Sequence, residues 1–107
     1  QQIYLAGQIG WNAQLQFESD DFVAQFEMAL KNIVALLREA GAGPEHLVRM
    51  TWFITNKKEY VSRLREVGQA YRAVLGRHFP PMSVVVVAAL IEDRAMVEIE
   101  ATAVIPA

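Results

Sequence analysis

Two carboxylates near the end of the chain, Glu98 and Glu100, offer the clearest opportunity for chemistry. They stand two residues apart in a segment of alternating apolar and polar residues, so they lie on one face of a predicted strand. A carboxylate held on a rigid strand within an apolar cleft can act as a general acid or base. The alternative is the solvated outer face of a terminal strand, and the pattern alone leaves both interpretations open.

Other kinds of reactive site have less support. His46 and His78 are the only histidines, and neither has the i, i+4 partner or the acidic cluster of a zinc site. Ser19, Ser62 and Ser83 lack the glycine frame of a nucleophile elbow. The absence of cysteine excludes thiolate metal sites, cysteine nucleophiles and disulfides, and it fits a reducing cytoplasm. We therefore predict no metal site.

The charge balance argues against nucleic acid as a partner. Ten basic and 12 acidic residues give a net charge of −2, which provides no overall cationic field for phosphates. The second predicted helix has a local excess of positive charge, but no aromatic residues interleave with it to stack bases, so a solvated face is the simpler interpretation. Trp11 follows a predicted strand within a turn, a frequent place for a pocket rim.

The length of 107 residues fits a single domain over 1–107. With 53% hydrophobic residues and a mean hydropathy of +0.18, the chain is unusually apolar for its size, which suggests self-association. The longest apolar run, Val84–Ile91, is far shorter than the roughly 20 residues that span a bilayer. We expect no transmembrane segment, no signal peptide and no membrane partner.

Periodicity predicts the elements that must position these side chains. Two helices are expected. The first extends from about residue 20 to 40, with Ser19 or Asp20 as its N-cap and Gly41 at its end. The second begins after a capping box formed by Asn56 and Glu59. The second helical stripe extends from Val61 to Leu75. The predicted strands are 3–9, a short one near 15–17, 47–55, 83–90 and 97–105.

The last two strands are predicted to form an antiparallel hairpin through Glu92–Arg94. The chain as a whole is predicted to adopt an α+β fold with two helices on one face of a mixed sheet. The run Val84–Val87 predicts a strand buried on both faces, either central or at a subunit interface. One layer of helices leaves the second sheet face uncovered, so a homo-oligomer that buries it is the simplest arrangement.

Four segments together resemble the RidA (YjgF) family: Ile-Tyr-Leu-Ala-Gly-Gln-Ile at 3–9, Ala-Leu-Lys-Asn-Ile at 29–33, Phe-Pro-Pro-Met-Ser at 79–83 and Val-Glu-Ile-Glu-Ala at 97–101. The resemblance covers essentially the whole chain. It implies a chorismate-mutase-like fold and a homotrimer whose sheets pack inward as a barrel, with helices outside and ligand clefts between subunits. Family members are typically longer at the N-terminus, so a first strand and a loop with a site aromatic are expected to be missing.

The resemblance also implies a reaction, the cofactor-independent hydrolysis of small enamines or imines to keto acids and ammonia. Glu98 matches the family's carboxylate position. Met82 stands where active members have the arginine that holds the substrate carboxylate, and Ala6 stands where they often have serine. A thioether cannot bind a carboxylate, so the resemblance implies an altered substrate.

We accordingly assign catalysis to Glu98 and substrate binding to Met82, Ser83, Ala6, Gly7, Trp11 and Tyr71. The predicted protein is a cytoplasmic homotrimer that acts on a small metabolite. Two alternatives stay open at this stage. One is a binding or regulatory trimer that has kept the cleft and lost the chemistry. The other is an endoribonuclease, a label attached to parts of the family, against which the acidic balance and the missing histidine pair argue.

Overall fold

Alternating segments form four strands and apolar stripes form three α-helices in a computed structural model that describes residues 1–107. In chain order the elements are β1 (Gln2–Ile9), α1 (Phe22–Glu39), β2 (Leu47–Ile54), α2 (Lys57–Ser62), α3 (Leu64–Leu75), β3 (Met82–Val86) and β4 (Val97–Val104). The prediction of an α+β fold with helices on one face of a mixed sheet is confirmed.

The first helix lies close to its predicted bounds, and its cap differs by one residue. Asp21, rather than Ser19 or Asp20, is the N-cap, and its carboxylate accepts a hydrogen bond from the Ala24 N–H at 3.0 Å. The helix ends before Gly41, whose φ of 79° lies in the left-handed region that glycine enters without strain.

The second helical stripe forms two helices instead of one continuous helix. The Asn56 side chain caps α2 by accepting from the Glu59 N–H at 3.0 Å, as predicted. The backbone of Arg63 then leaves the helical conformation, with φ −124° and ψ 25°, and α3 begins at Leu64. The apolar stripe continues across this break, which is why periodicity alone could not reveal it.

The order of strands in the sheet is β1-β4-β2-β3. The prediction that the last two strands form a hairpin is therefore wrong, because β3 and β4 are not neighbours. β4 lies antiparallel between β1 and β2, whereas β3 pairs in parallel with β2 at the edge of the sheet. The strand predicted over 83–90 extends only from Met82 to Val86. In the single chain Val85 and Val86 are exposed, so this strand is neither central nor buried on both faces.

The short strand expected near 15–17 is also absent, because this segment forms a turn in which Leu15 has φ 61°. The regular alternation predicted for the first strand is interrupted as well. The pairing of β1 with β4 shifts register between Leu5 and Gln8, so that Gly7 lies in an irregular part of the strand.

The helices cover one face of the sheet, and the opposite face is open. On β4 the side chains of Val97, Ile99, Ala101 and Ala103 are buried against the helices, and the residues between them face the other way. The core is a cluster of 20 buried residues between α1, α3 and this sheet face. Glu98 and Glu100 therefore belong to the open face.

Candidate functional site

Glu98 lies in the middle of the open face, and its carboxylate rests against the backbone of Gly7. Glu98 is in register with Ile9 of β1 on one side and with Phe53 of β2 on the other. A Cβ atom built on Gly7 would be only 2.4 Å from Glu98 Oε2 and 2.6 Å from its Cδ. Only glycine at position 7 therefore leaves room for this position of the carboxylate.

The Glu98 side chain is half-buried, and none of the ion pairs of the chain involves it. A carboxylate without a cationic partner keeps its oxygen atoms available to accept a proton or a hydrogen bond from another molecule. The arrangement therefore has the elementary property that a general acid or base requires.

A second row of polar side chains crosses the open face beside Glu98. Glu100 of β4, Thr51 of β2 and Ser83 of β3 are in register with one another. Glu100 and Thr51 also line an open depression of about 330 Å³ together with Tyr4 and Arg49. Ser83 thus shares a face with the carboxylates, as predicted, but it is two strand spacings, or about 10 Å, from β4.

Two amide side chains of α1 fix the strands that carry the site. Gln25 is 1% exposed, and its Oε1 accepts from the Met96 N–H at 2.9 Å just before β4 begins. The Asn32 Nδ2 donates to the Ile9 carbonyl at 3.0 Å and to the Trp11 carbonyl at 2.9 Å. These contacts tie the end of β1 and the start of β4 to one rigid helix.

The structure separates Met82 and Tyr71 from Glu98. Met82 is in register with Met50 on the helix-covered face of the sheet, opposite to the face that carries Glu98. Tyr71 of α3 is buried on the same side, and its hydroxyl donates to the His78 carbonyl. Burial raises the pKa of the Tyr71 hydroxyl above its ordinary value. Within one chain these two residues form a separate group.

Ala6 and Trp11 also differ in their relation to the carboxylate. Ala6 is exposed and directly precedes Gly7 in the irregular part of β1, so it lies next to the site. Trp11 packs on Phe17 with ring centroids 5.8 Å apart and lines a cavity of about 200 Å³ against α1. It is therefore part of a different concavity in the single chain.

Neither histidine is arranged for catalysis or metal binding. The Nδ1 atom of His46 accepts from the Gly43 N–H at 3.0 Å, and the His78 Nε2 is 2.8 Å from the Leu47 carbonyl oxygen. No group of three or more histidine or acidic side chains converges on a common point that could hold a metal ion. No helix combines the length and hydrophobicity needed to cross a membrane.

Comparisons with known proteins identify the family to which this site belongs. The family model for endoribonuclease L-PSP matches residues 1–105. A RutC family protein from Synechocystis sp. is 32% identical over an alignment of 111 residues, and the match covers 97% of this chain and 78% of the relative. A YjgF family member from Mycobacterium tuberculosis has a crystal structure that matches with a TM-score of 0.78 at 36% identity, covering 97% of this chain and 79% of that one. The chain belongs to the RidA/YjgF family.

Another similar structure, that of TdcF from E. coli, was solved with bound serine. It matches with a TM-score of 0.85 and 28% identity over 98% of this chain and 81% of that chain.

The sequence alone did not predict that the side chains of Gln25 and Asn32 hold the strands of the site in place. Asn32 belongs to the segment at 29–33 that resembles the family. Gln25 occupies a core-facing position of the helix, where a polar side chain indicates a buried hydrogen-bond network.

Proposed function

We propose that this RidA/YjgF-family protein hydrolyses small imines, or enamines after they tautomerise, to a carbonyl compound and ammonia, with Glu98 as the general acid and base. The observation that carries the proposal is the position of the Glu98 carboxylate, which is half-buried, without an ion-pair partner and fitted against Gly7. Family membership adds support, because the sequence resemblance implies a carboxylate at the position of Glu98.

The chemistry requires only water and one carboxylate. Glu98 removes a proton from water as the water oxygen bonds to the carbon of the protonated imine, and the electron pair of the carbon–nitrogen π bond moves to nitrogen, giving a neutral carbinolamine. Glu98 delivers this proton to the amine nitrogen and then takes the hydroxyl proton as the carbon–nitrogen bond breaks, so that the carbonyl compound forms and ammonia leaves. The proton then held by Glu98 passes to ammonia, which leaves as ammonium and restores the carboxylate. Every proton is accounted for, so no cofactor is needed in the proposed reaction.

We further propose that the complete site forms between copies of the chain in a homotrimer. Gly7 lies on one edge strand and Met82 and Ser83 on the other, so three strand spacings, about 14 Å, separate them within one sheet. A small substrate can contact both only where the two edges of different copies meet. In this proposed cleft, Trp11 and Tyr71 form more distant parts of the wall, and Ala6 lies next to the carboxylate.

Met82 indicates the substrate class at such a cleft. A thioether offers apolar contact and no charge, so the preferred imine lacks a carboxylate at the point where other family members bind one. A small neutral metabolite in the cytoplasm is the corresponding physiological substrate. RNA cleavage is less well supported, because the net charge is −2 and both histidines are engaged by backbone groups.

The test compares Glu98→Gln with Glu100→Gln in an assay of ammonia release. Imines are generated in situ by an amine oxidase, which yields neutral imines, and by an amino-acid oxidase, which yields imines with a carboxylate. We expect the wild type to accelerate hydrolysis of the neutral imines more strongly. The Glu98 variant should lose at least a hundredfold in rate, the usual scale for a general acid or base, and the Glu100 variant should stay active.

Unchanged turnover in the Glu98 variant would refute the catalytic assignment. An inactive wild type that still binds small ligands would instead favour the non-catalytic, regulatory alternative. Faster hydrolysis of the carboxylate-bearing imines would refute the substrate class inferred from Met82.

A further inference from the structure

Helix α1 places one glutamine in the protein interior among its apolar side chains. Gln25 is almost fully buried, and each polar atom of its side chain has a partner. Its Nε2 donates to the carbonyl oxygens of Ser19 and Arg94, both at 3.0 Å, and its Oε1 accepts from the Met96 N–H at 2.9 Å. These hydrogen bonds offset the cost of removing the amide from water. Gln25 thus joins the segment before α1 to the segment before β4.

Met96 lies two residues before Glu98, and both of its backbone polar groups are held. Gln25 accepts from its N–H, and its carbonyl oxygen accepts from the Thr55 N–H at 3.3 Å, just beyond the end of β2. Two residues of a strand span only about 7 Å, so a displacement of Met96 is carried along β4 to Glu98. The Gln25 side chain therefore determines the position from which β4 starts.

The end of β1 is fixed on the same helix by Asn32 and by a close approach of Gly10. The Asn32 Nδ2 donates to the carbonyl oxygens on either side of Gly10, those of Ile9 and Trp11. A Cβ atom built on Gly10 would lie 2.4 Å from the Gln25 carbonyl oxygen and 2.6 Å from the Gln25 Cα. Only glycine permits this contact between the backbone of β1 and the backbone of α1.

These contacts act on both sides of the fit between Glu98 and Gly7. On β4, the held residue Met96 precedes Glu98 by two positions. On β1, the held residue Ile9 follows Gly7 by two positions and is in register with Glu98. Both anchor points belong to α1, whose apolar side chains are buried in the core. A single rigid helix therefore determines how the carboxylate lies against the backbone of β1.

We propose that Gln25 and Asn32 are positioning residues that hold the Glu98 carboxylate against Gly7, an inference whose catalytic consequence rests on the imine hydrolysis proposed above. Neither is a catalytic residue, because both belong to α1 on the helix-covered side of the sheet, whereas Glu98 lies on the open face. Their effects differ. Gln25 acts on the start of β4, while Asn32 also holds the carbonyl of Trp11, a residue of the proposed cleft wall.

The experiment measures kcat and KM for hydrolysis of imines generated in situ by an amine oxidase. Gln25→Met and Asn32→Leu replace each amide by an apolar side chain of similar size. A displacement of about 1 Å in a catalytic group costs on the order of a hundredfold in rate, so we expect kcat of Gln25→Met to fall by about that factor. Its KM should stay within about twofold of the wild type, because the substrate contacts are unchanged. Asn32→Leu should lower kcat and also raise KM.

Leu37→Ala is the matched control for a loss of stability alone. Leu37 is fully buried near the end of the same helix, so its truncation should lower the melting temperature while leaving the hydrogen bonds of Gln25 and Asn32 in place. We expect this variant to keep the wild-type kcat at temperatures below its melting transition. An equal loss of kcat in Leu37→Ala and Gln25→Met would overturn the positioning role.

A crystal structure of Gln25→Met adds a measurement that does not depend on activity. We expect the Glu98 carboxylate to have moved away from Gly7 in this variant. A carboxylate that still rests against Gly7, or a wild-type kcat, would overturn the proposal. If Gln25→Met does not fold, Asn32→Leu provides the same comparison, because Asn32 is only half-buried.

Failure of this inference and failure of the proposed function give different results. If Glu98→Gln is inactive while Gln25→Met is fully active, imine hydrolysis is supported and the positioning role is refuted. If the wild type does not hydrolyse imines, the proposed function is refuted. The crystal structure then decides by itself whether Gln25 holds the carboxylate against Gly7.

Discussion

Gly7 and Glu98 form the contact on which the candidate site depends most directly. Alternation places Glu98 on one face of a strand, but the contact with Gly7 arises from the register shift in β1. The irregular pairing brings the strand backbone beside the carboxylate. A side chain at position 7 would occupy the space in which the carboxylate now lies.

Replacing Gly7 with alanine should therefore impair catalysis without unfolding the protein. The new Cβ would lie 2.4 Å from Glu98 Oε2, so the flexible carboxylate must move. A displacement of about 1 Å in a catalytic group costs on the order of a hundredfold in rate. We expect a comparable fall in kcat/KM for imine hydrolysis, with a circular dichroism melting curve close to that of the wild type.

Gly43→Ala is the matched control for this variant, because its new Cβ would likewise lie 2.4 Å from a carboxylate oxygen, Glu45 Oε1, away from Glu98. It should hydrolyse imines at the wild-type rate. If Gly7→Ala keeps full activity, the fit between the carboxylate and the backbone is not important for the reaction.

At the scale of elements, Arg63 connects three helices at the point where the second helical stripe breaks. Its guanidinium contacts Asp21 at the start of α1, Glu59 of α2 and Glu66 of α3. Hydrogen bonds from Arg63 lower the pKa of Asp21 and of Glu66 below their ordinary values of 3.8 and 4.5. The break thus coincides with an ionic connection between helices.

This connection predicts a pH dependence of stability. A carboxyl whose pKa is lowered on folding contributes stability above its ordinary pKa and loses that contribution as the pH falls through the folded value. Arg63→Gln should therefore lower the melting temperature at pH 7, and its difference from the wild type should shrink toward pH 3. Arg65→Gln, which breaks no ion pair, should show no such trend. A constant difference for Arg63→Gln between the two pH values would contradict this explanation.

The elements themselves were largely predictable, whereas their arrangement was not. The stripe of α1 and the alternation of β2 and β4 follow directly from residue periodicity. The position of β4 between β1 and β2 depends on long-range pairing, which local patterns do not record. The same reason applies to the candidate site: the sequence offered Glu98, Gly7 and Met82 as candidates, but the separation of Met82 from Glu98 follows from sheet order and the alternation of side chains.

At the scale of the whole molecule, the apolar character of the chain is unevenly distributed. The helix-covered face is buried in the core, while β3 leaves Val85 exposed on the open face and a free edge beyond it. An exposed, valine-rich edge strand readily pairs with another chain. The proposed trimer would cover this surface and bring the edge that carries Met82 near the edge that carries Gly7 of another copy.

Val85→Glu should therefore dissociate the proposed trimer. The new charge would be placed in an apolar contact between copies, where an unpaired carboxylate is strongly unfavourable. Light scattering should give three times the chain mass of 12.0 kDa for the wild type and a single chain mass for the variant. Val61→Glu, which alters an equally apolar but helix-borne exposed position on α2, should remain trimeric.

The same variant tests whether imine hydrolysis requires more than one copy of the chain. Because the proposed imine site requires two edges from different copies, the Val85→Glu monomer should lose imine hydrolysis. A wild-type protein that is monomeric at micromolar concentration, or a monomeric variant that retains full hydrolysis, would show that the carboxylate acts within one chain.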